Sequence, residues 1–232
     1  MMKTTQKMQS LFERVPEPEL MDSPEQVTAY AGADFSASDD AFVARLLQRL
    51  QPLAASGSLI DLGCGPAGIS ISAARQMPGW QITALDAGDN MLARAKQNLR
   101  SESAAVRARI SLHHALLPKH GLRQKFAVII SNSLLHHLPD PATLWQSIRD
   151  LAAAGSVIQV MDLLRPYDEQ QLQQLVTDYA GDAPAVLQQD FSHSLRAAYT
   201  LEEITQQLRA AGLQSLSVEQ VSDRHLQISG VL

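Results

Sequence analysis

The sequence predicts an α/β fold: a doubly wound, mainly parallel seven-stranded sheet with an antiparallel last strand. Three observations carry that expectation. Seven short apolar runs recur along the chain, helical patterns alternate with them, and the first run ends in a glycine turn that opens a helix. With 232 residues, 45% of them apolar, the chain can bury one large core without disulfides or a structural metal.

Residues 1–40 mix helical stretches with the breakers Pro16, Pro18, Pro24 and Gly32. From Asp40 to Leu50 the apolar positions Phe42, Val43, Leu46, Leu47 and Leu50 fall on one helical stripe. Residues 1–50 are therefore expected to form an N-terminal helical cap or lid, and residues 51–232 the ligand-binding domain. SLIDLGCGPAGIS is the first strand with its turn, and ISAARQMPGW reads as a helix stopped by Pro78 and Gly79. QITALD is the second strand, and DNMLARAKQNLR the next helix, with Asp89 placed to cap its start. Strands follow at RISLH, FAVIIS and SVIQVMD, the last two separated by a helix over roughly 141–153 that Pro139 and Pro141 introduce. EQQLQQLVTDYA and TLEEITQQLRAAG read as helices, the second opened by a Thr200/Glu203 capping box and ended by Gly212. LQSLSVEQV and HLQISGV form the antiparallel finish.

A formal net charge of −5 argues against a general affinity for nucleic acid, because phosphate binding needs a basic face. The single cysteine, Cys64, excludes an intramolecular disulfide framework and a thiolate zinc cluster, and favours a reducing compartment. The first twenty residues hold no secretory pattern, and no window approaches the roughly 18 uninterrupted apolar residues of a membrane span. A cytoplasmic protein with no membrane partner is expected.

The chemistry concentrates at Asp61-Leu62-Gly63-Cys64-Gly65-Pro66-Ala67-Gly68. Glycines at the end of a buried strand let the backbone turn sharply and approach a ligand, while the next helix presents free N–H groups. The spacing fits a GxGxxG pattern, with Asp86 ending the following strand, so a nicotinamide-binding unit is one reading. Two residues point elsewhere. The carboxylate of Asp61 at the pocket mouth repels a pyrophosphate and suits an amino group, and Pro66 removes a backbone donor from the turn. The site is suited to a cationic ligand.

LIDLGCGPAGIS, ITALDAGDNMLARAK, FAVIISNSLLHHLPDP and VIQVMDLLRP, in that order, resemble the motifs of class I S-adenosylmethionine-dependent methyltransferases. The likeness runs from about Ser58 to Pro166, nearly half of the chain. It implies a Rossmann-like methyltransferase fold and S-adenosylmethionine as cofactor, with S-adenosylhomocysteine as product. It further implies that Gly63 and Gly65 pass beneath the methionine part, with Asp61 near its amino group or bound water. Asp86 would then accept from both ribose hydroxyls. Ala87 and Met91 would pack near adenine and ribose, and Asn132 would line the reactive side. The chain departs from the family after the third strand, where His114, followed by Ala115, stands at about the position of an acidic adenine-binding residue.

Methyl transfer from a sulfonium is an in-line displacement on an activated carbon, so positioning supplies most of the catalysis and no triad is required. His137 and Asp162 are the candidates for a catalytic role, which remains unassigned. Adjacent histidines on a helix diverge by about 100°, so His136 and His137 are not expected to grip one ligand, and no HxxxH or HExxH spacing supports zinc. No metal is expected. Tyr30, Asp34 and Phe35 in the leader, and His193, Arg196 and Tyr199 in the tail, are candidates for substrate recognition, with packing as the plainer reading. Trp80, at the start of a strand, belongs to the sheet edge opposite the site. The expected partner is a small-molecule methyl acceptor. The alternatives are a nucleic-acid methyltransferase, which Ser131-Asn132-Ser133-Leu134 does not favour, and a non-catalytic cofactor-binding regulatory module.

Overall fold

The computed structural model describes residues 13–17, 23–24 and 35–232. Helix α1 (Ser36–Arg49) precedes strand β1 (Gly57–Leu62), then α2 (Gly68–Gln76), β2 (Trp80–Asp86), α3 (Asp89–Arg100) and the short α4 (Ala104–Arg107). Next come β3 (Ile110–His114), β4 (Phe126–Asn132), a single 3-10 turn (Leu135–His137), α5 (Ala142–Leu151) and β5 (Ala152–Leu163). The chain ends with α6 (Glu169–Ala180), α7 (Ala185–Ala197), α8 (Leu201–Ala210), β6 (Ser217–Gln220) and β7 (His225–Val231).

The seven strands form one sheet in the order β3-β2-β1-β4-β5-β7-β6. β1 to β5 pair in parallel, and β7 is antiparallel to both β5 and β6. The expected doubly wound sheet with an antiparallel last strand is therefore present. The strand order reverses between β1 and β4, which opens a crevice at their carboxyl ends, the usual ligand position in such sheets.

Two apolar layers sandwich the sheet. Phe42, Val43 and Leu46 of α1 pack with Ile69, Ile71 and Ala74 of α2 on one face. Trp145 and Ile148 of α5 pack with Ile204 and Leu208 of α8 on the other. The α1 stripe thus belongs to the main core, although Leu47 and Leu50 are only partly buried. The Thr200/Glu203 capping box forms as expected, and Gly212 has a φ of +71° after α8.

Some boundaries differ from expectation. Gly88, not Asp89, is the N-cap of α3; Asp89 lies in the first turn, where its charge favours the helix dipole without capping it. Helix α5 ends two residues short of 153 because Ala152 already pairs with Phe126. Trp80 is buried and its Nε1 donates to the Ala54 carbonyl at 3.0 Å, at the edge away from the crevice. Tyr30 and Asp34 lie outside the described residues.

Candidate active site

The carboxyl ends of β1, β2, β4 and β5 border a cavity of about 590 Å³. His225, the first residue of antiparallel β7, pairs with Leu163 at the same edge and so reaches that cavity. Of the cofactor-site residues expected from the sequence, Asp61, Gly63, Gly65, Asp86, Ala87, Met91, Ala115 and Asn132 all line it.

The glycine turn is built for close approach. Gly63 and Gly65 have φ of +75° and +50°. A Cβ on Gly63 would meet the Leu134 side chain at 2.8 Å, whereas on Gly65 the nearest atom would be Met91 Sδ at 3.9 Å. The backbone at Gly65 therefore faces open space in the cavity. Asp86 fixes this turn: its Oδ2 accepts from the Gly65 N–H and its Oδ1 from the Gly88 N–H, both at 2.8 Å. One carboxylate thus sets the spacing of two loops, a role the sequence did not suggest.

Asp61 is 2% exposed and accepts a hydrogen bond from Ser70 Oγ at 2.6 Å. Burial pushes its carboxyl up to about 7, with repulsion from Asp39 and Asp86 acting in the same direction against the Ser70 bond. Asn132, at the end of β4, keeps a buried Oδ1 with no hydrogen-bond partner among the described residues. A buried acid that favours its neutral form and an orphaned amide oxygen are both relieved by a cationic ligand. Cys64 is buried, and desolvation together with Asp61 and Asp86 drives its thiol well above its ordinary value, which removes it as a nucleophile.

His114 is placed differently. It is exposed and absent from the cavity wall, with Nε2 3.0 Å from the Ala87 carbonyl and Nδ1 3.7 Å from Asp89. Its register opposite Asp86 puts it at the end of β3, but the ring turns to the loop instead of inward.

Across the cavity, His136 and His137 sit on the 3-10 turn that follows Ser133, a residue with a φ of +53°. Their ring centroids lie 4.0 Å apart with planes at 39°, so the two imidazoles come together rather than diverge. His136 Nδ1 donates to Asp162 Oδ1 at 2.6 Å, and Asp162 also accepts from the backbone N–H groups of Leu135 and Leu163 at 2.7 Å. Burial opposes both charges, yet their mutual attraction holds His136 above and Asp162 below the ordinary values. Asp162 therefore serves the turn structurally and the wall electrostatically.

Described residues of the leader pack against this histidine turn. Glu17 contacts His137 Nδ1 across 120 positions of sequence and accepts from Ser194 Oγ of α7 at 2.6 Å. Arg14 donates to the carbonyls of Ala197 at 2.6 Å and His136 at 3.0 Å, and its guanidinium lies 4.2 Å from the Tyr199 ring centre. Leu187, Phe191 and Ser194 of α7 line the cavity, as does Phe35. His193, Arg196 and Tyr199 do not; Arg196 pairs with Glu169 at 2.7 Å. Sequence reasoning missed Arg14, Glu17 and the inner face of α7. A charged residue among prolines carries no periodic signal, and only the fold brings it to the histidines.

A family profile described as a methyltransferase domain matches residues 35–218. The chain belongs to the class I methyltransferase family. This methyltransferase is 32% identical over 117 residues to a trans-aconitate 2-methyltransferase of Methylobacterium radiotolerans, covering 50% of this chain and 42% of the relative. It is 30% identical over 122 residues to an uncharacterized methyltransferase of Mycobacterium bovis, covering 52% and 57%. The chain thus spans about half the length of the curated relatives it matches. The crystal structure of a protein of Methanococcus maripaludis described as a "putative S-adenosyl-L-methionine-dependent methyltransferase" superposes with a TM-score of 0.69 at 17% identity, over 94% of this chain and 96% of that one, which establishes the shared fold. No helix among the described residues is long and apolar enough to cross a membrane.

Proposed function

We propose that this methyltransferase moves a methyl group from S-adenosylmethionine to a small-molecule acceptor by in-line displacement, with catalysis resting mainly on positioning. The observation that carries this reading is the two-sided cavity: acidic groups and an open glycine turn on one side, a histidine wall on the other. Its volume of about 590 Å³ suits a cofactor with a small acceptor. The name of the Methylobacterium relative, a trans-aconitate methyltransferase, agrees with an acceptor of that size. A net charge of −5 disfavours nucleic acid.

When bound, S-adenosylmethionine supplies an activated methyl group on a sulfonium centre. Asn132 Oδ1 and Asp61 receive the ammonium end, while Gly63 and Gly65 let the backbone lie close beneath it. Asp86 uses its remaining lone pairs for the ribose hydroxyls, and Ala87, Met91 and Ala115 flank the adenine. With the His114 ring outside the cavity, the adenine edge would be left to the backbone near Ala115. On the acceptor side, His137 orients the incoming nucleophile directly and Asp162 does so through His136. Holding the reacting atoms in line supplies up to about 7–11 kcal/mol in ideal intramolecular cases.

Of the expected cap, residues 1–50, α1 packs into the core of the sheet domain, and the capping role falls to the described leader residues Arg14 and Glu17. Phe35, Ser38 and Asp39 border the glycine-turn side of the cavity, and Arg14 and Glu17 hold the histidine turn. The lone cysteine is suited to the cytoplasm.

A crystal structure with S-adenosylhomocysteine tests the reading. The sulfur is expected between Gly65 and Asn132, with open space continuing from it to His137. A ligand bound elsewhere, or a sulfur sealed away from the histidine wall, would overturn it.

A further inference from the structure

We propose that Glu17, His136 and His137 form a binding site for a divalent metal ion of the zinc type on the acceptor wall of the cavity. One donor atom from each residue lies within 4.8 Å of the others. Ligand bonds of about 2.1 Å in a tetrahedral site put donor atoms roughly 3.4 Å apart, so side-chain adjustment alone closes the cluster onto an ion. Two histidines and a glutamate are a donor set that zinc accepts in open, reactive sites, where a fourth position stays vacant for an exogenous oxygen.

The surroundings of the three side chains support the same reading. Asp162 takes the His136 Nδ1–H at 2.6 Å, which leaves Nε2 as the ligating nitrogen and reproduces a carboxylate–histidine–metal arrangement. Ser194 holds one oxygen of Glu17 at 2.6 Å and leaves the carboxylate oriented toward His137. Side-chain exposures of 2% for His136, 16% for His137 and 9% for Glu17 keep bulk water from competing. Glu17 and Asp162 together offset the double charge of the ion. The nearby Arg14 guanidinium is committed to main-chain carbonyls and the Tyr199 ring. His136 and His137 also line the cavity with Asn132 and Leu134, so the vacant position faces the place of the acceptor. The ligand class that follows is an acceptor bearing a hydroxyl or carboxylate oxygen, which would occupy that position. This consequence rests on the proposed function; the metal site itself does not.

The test uses the full chain, free of any affinity tag and stripped with a chelator. Titration with Zn²⁺ by calorimetry, and with Co²⁺ by its visible d–d absorption, is expected to show one ion per chain. Glu17→Gln and His137→Ala should each abolish the Co²⁺ spectrum and weaken Zn²⁺ binding by about 100-fold or more, and Ser194→Ala by about 10-fold, in line with the loss of an outer partner. Circular dichroism and S-adenosylhomocysteine binding of the same metal-free variants report separately on folding and on the cofactor site. Absence of stoichiometric uptake, or uptake unchanged in both ligand variants, would overturn the metal site and leave the cofactor assignment standing. Loss of S-adenosylhomocysteine binding with normal metal uptake would do the reverse.

Discussion

Asp86 accepts the backbone N–H groups of Gly65 and Gly88 on its two oxygens, so a residue at the end of β2 holds the glycine turn after β1 in place. The cofactor reading gives this carboxylate a second task at the ribose hydroxyls.

Replacing Asp86 separates the two tasks. Asp86→Asn retains one acceptor but turns a donor toward the other loop, and each charge-assisted hydrogen bond is worth about 1.5–3 kcal/mol. Affinity for S-adenosylhomocysteine should fall by about 10- to 100-fold. Amide hydrogen exchange should quicken at Gly65 or Gly88 while the core strands stay protected. Unchanged affinity would remove Asp86 from the ribose site.

Asp61 makes a pH-dependent contribution of defined sign. Its folded pKa of about 7 lies above the ordinary 3.8, so the folded chain binds the extra proton between those values. The contribution to stability is therefore fullest below 3.8 and is lost as pH rises through 7. Asp61→Asn should raise the unfolding free energy of the ligand-free protein at pH 8, read from urea denaturation, by a few kcal/mol at most, and have little effect near pH 4. The same change should weaken S-adenosylhomocysteine binding at pH 8, where the ionised carboxylate meets the ammonium. Denaturation and calorimetry at both pH values check the pair of outcomes.

The two glycines of the turn should respond unequally to alanine. At Gly63 the added carbon meets Leu134 at 2.8 Å and the φ is +75°. Gly63→Ala should cost about 2–4 kcal/mol, from crowding added to left-handed strain. At Gly65 the nearest atom is 3.9 Å away and only the φ of +50° opposes the change, so about 1 kcal/mol is expected. Gly65→Ala should nonetheless weaken cofactor binding, since its new methyl enters the cavity. Thermal melts and calorimetry of both variants separate the effects.

Arg14 anchors the leader segment to the histidine wall. Arg14→Ala removes three hydrogen bonds to carbonyls and a contact with Tyr199. A loss of about 1–3 kcal/mol is expected. Release of Glu17 should move the His137 imidazole signals in NMR spectra; signals that stay in place would show that the segment is held by other contacts.

The sheet and the cofactor side were legible because their signals are local. Strand periodicity, the Gly63-x-Gly65 turn and the acids at the ends of β1 and β2 lie within 26 residues of one another, and the fold simply brings adjacent parallel strands together. The acceptor side is assembled from distant pieces. Glu17 reaches His137 across 120 positions, and Ser194 reaches Glu17 across 177. Helix α7 went unrecognised because FSHSLRAAYT mixes polar and small residues without a clear stripe, although Ser194, Leu195 and Ala197 are buried. The paired histidines escaped for a geometric reason. Helical spacing separates neighbours, by about 120° on a 3-10 turn, but Asp162 and Glu17, both remote in sequence, hold the two rings with their centroids 4.0 Å apart. His225 borders the cavity because β7 runs antiparallel, which brings the start of that strand, not its end, to the carboxyl edge.

Calorimetric titration of the folded chain with S-adenosylhomocysteine tests the central claim most directly. Saturable binding of one molecule per chain, weakened by Asp86→Asn and Gly65→Ala, is the predicted result. Folded protein that takes up no S-adenosylhomocysteine or S-adenosylmethionine would contradict it.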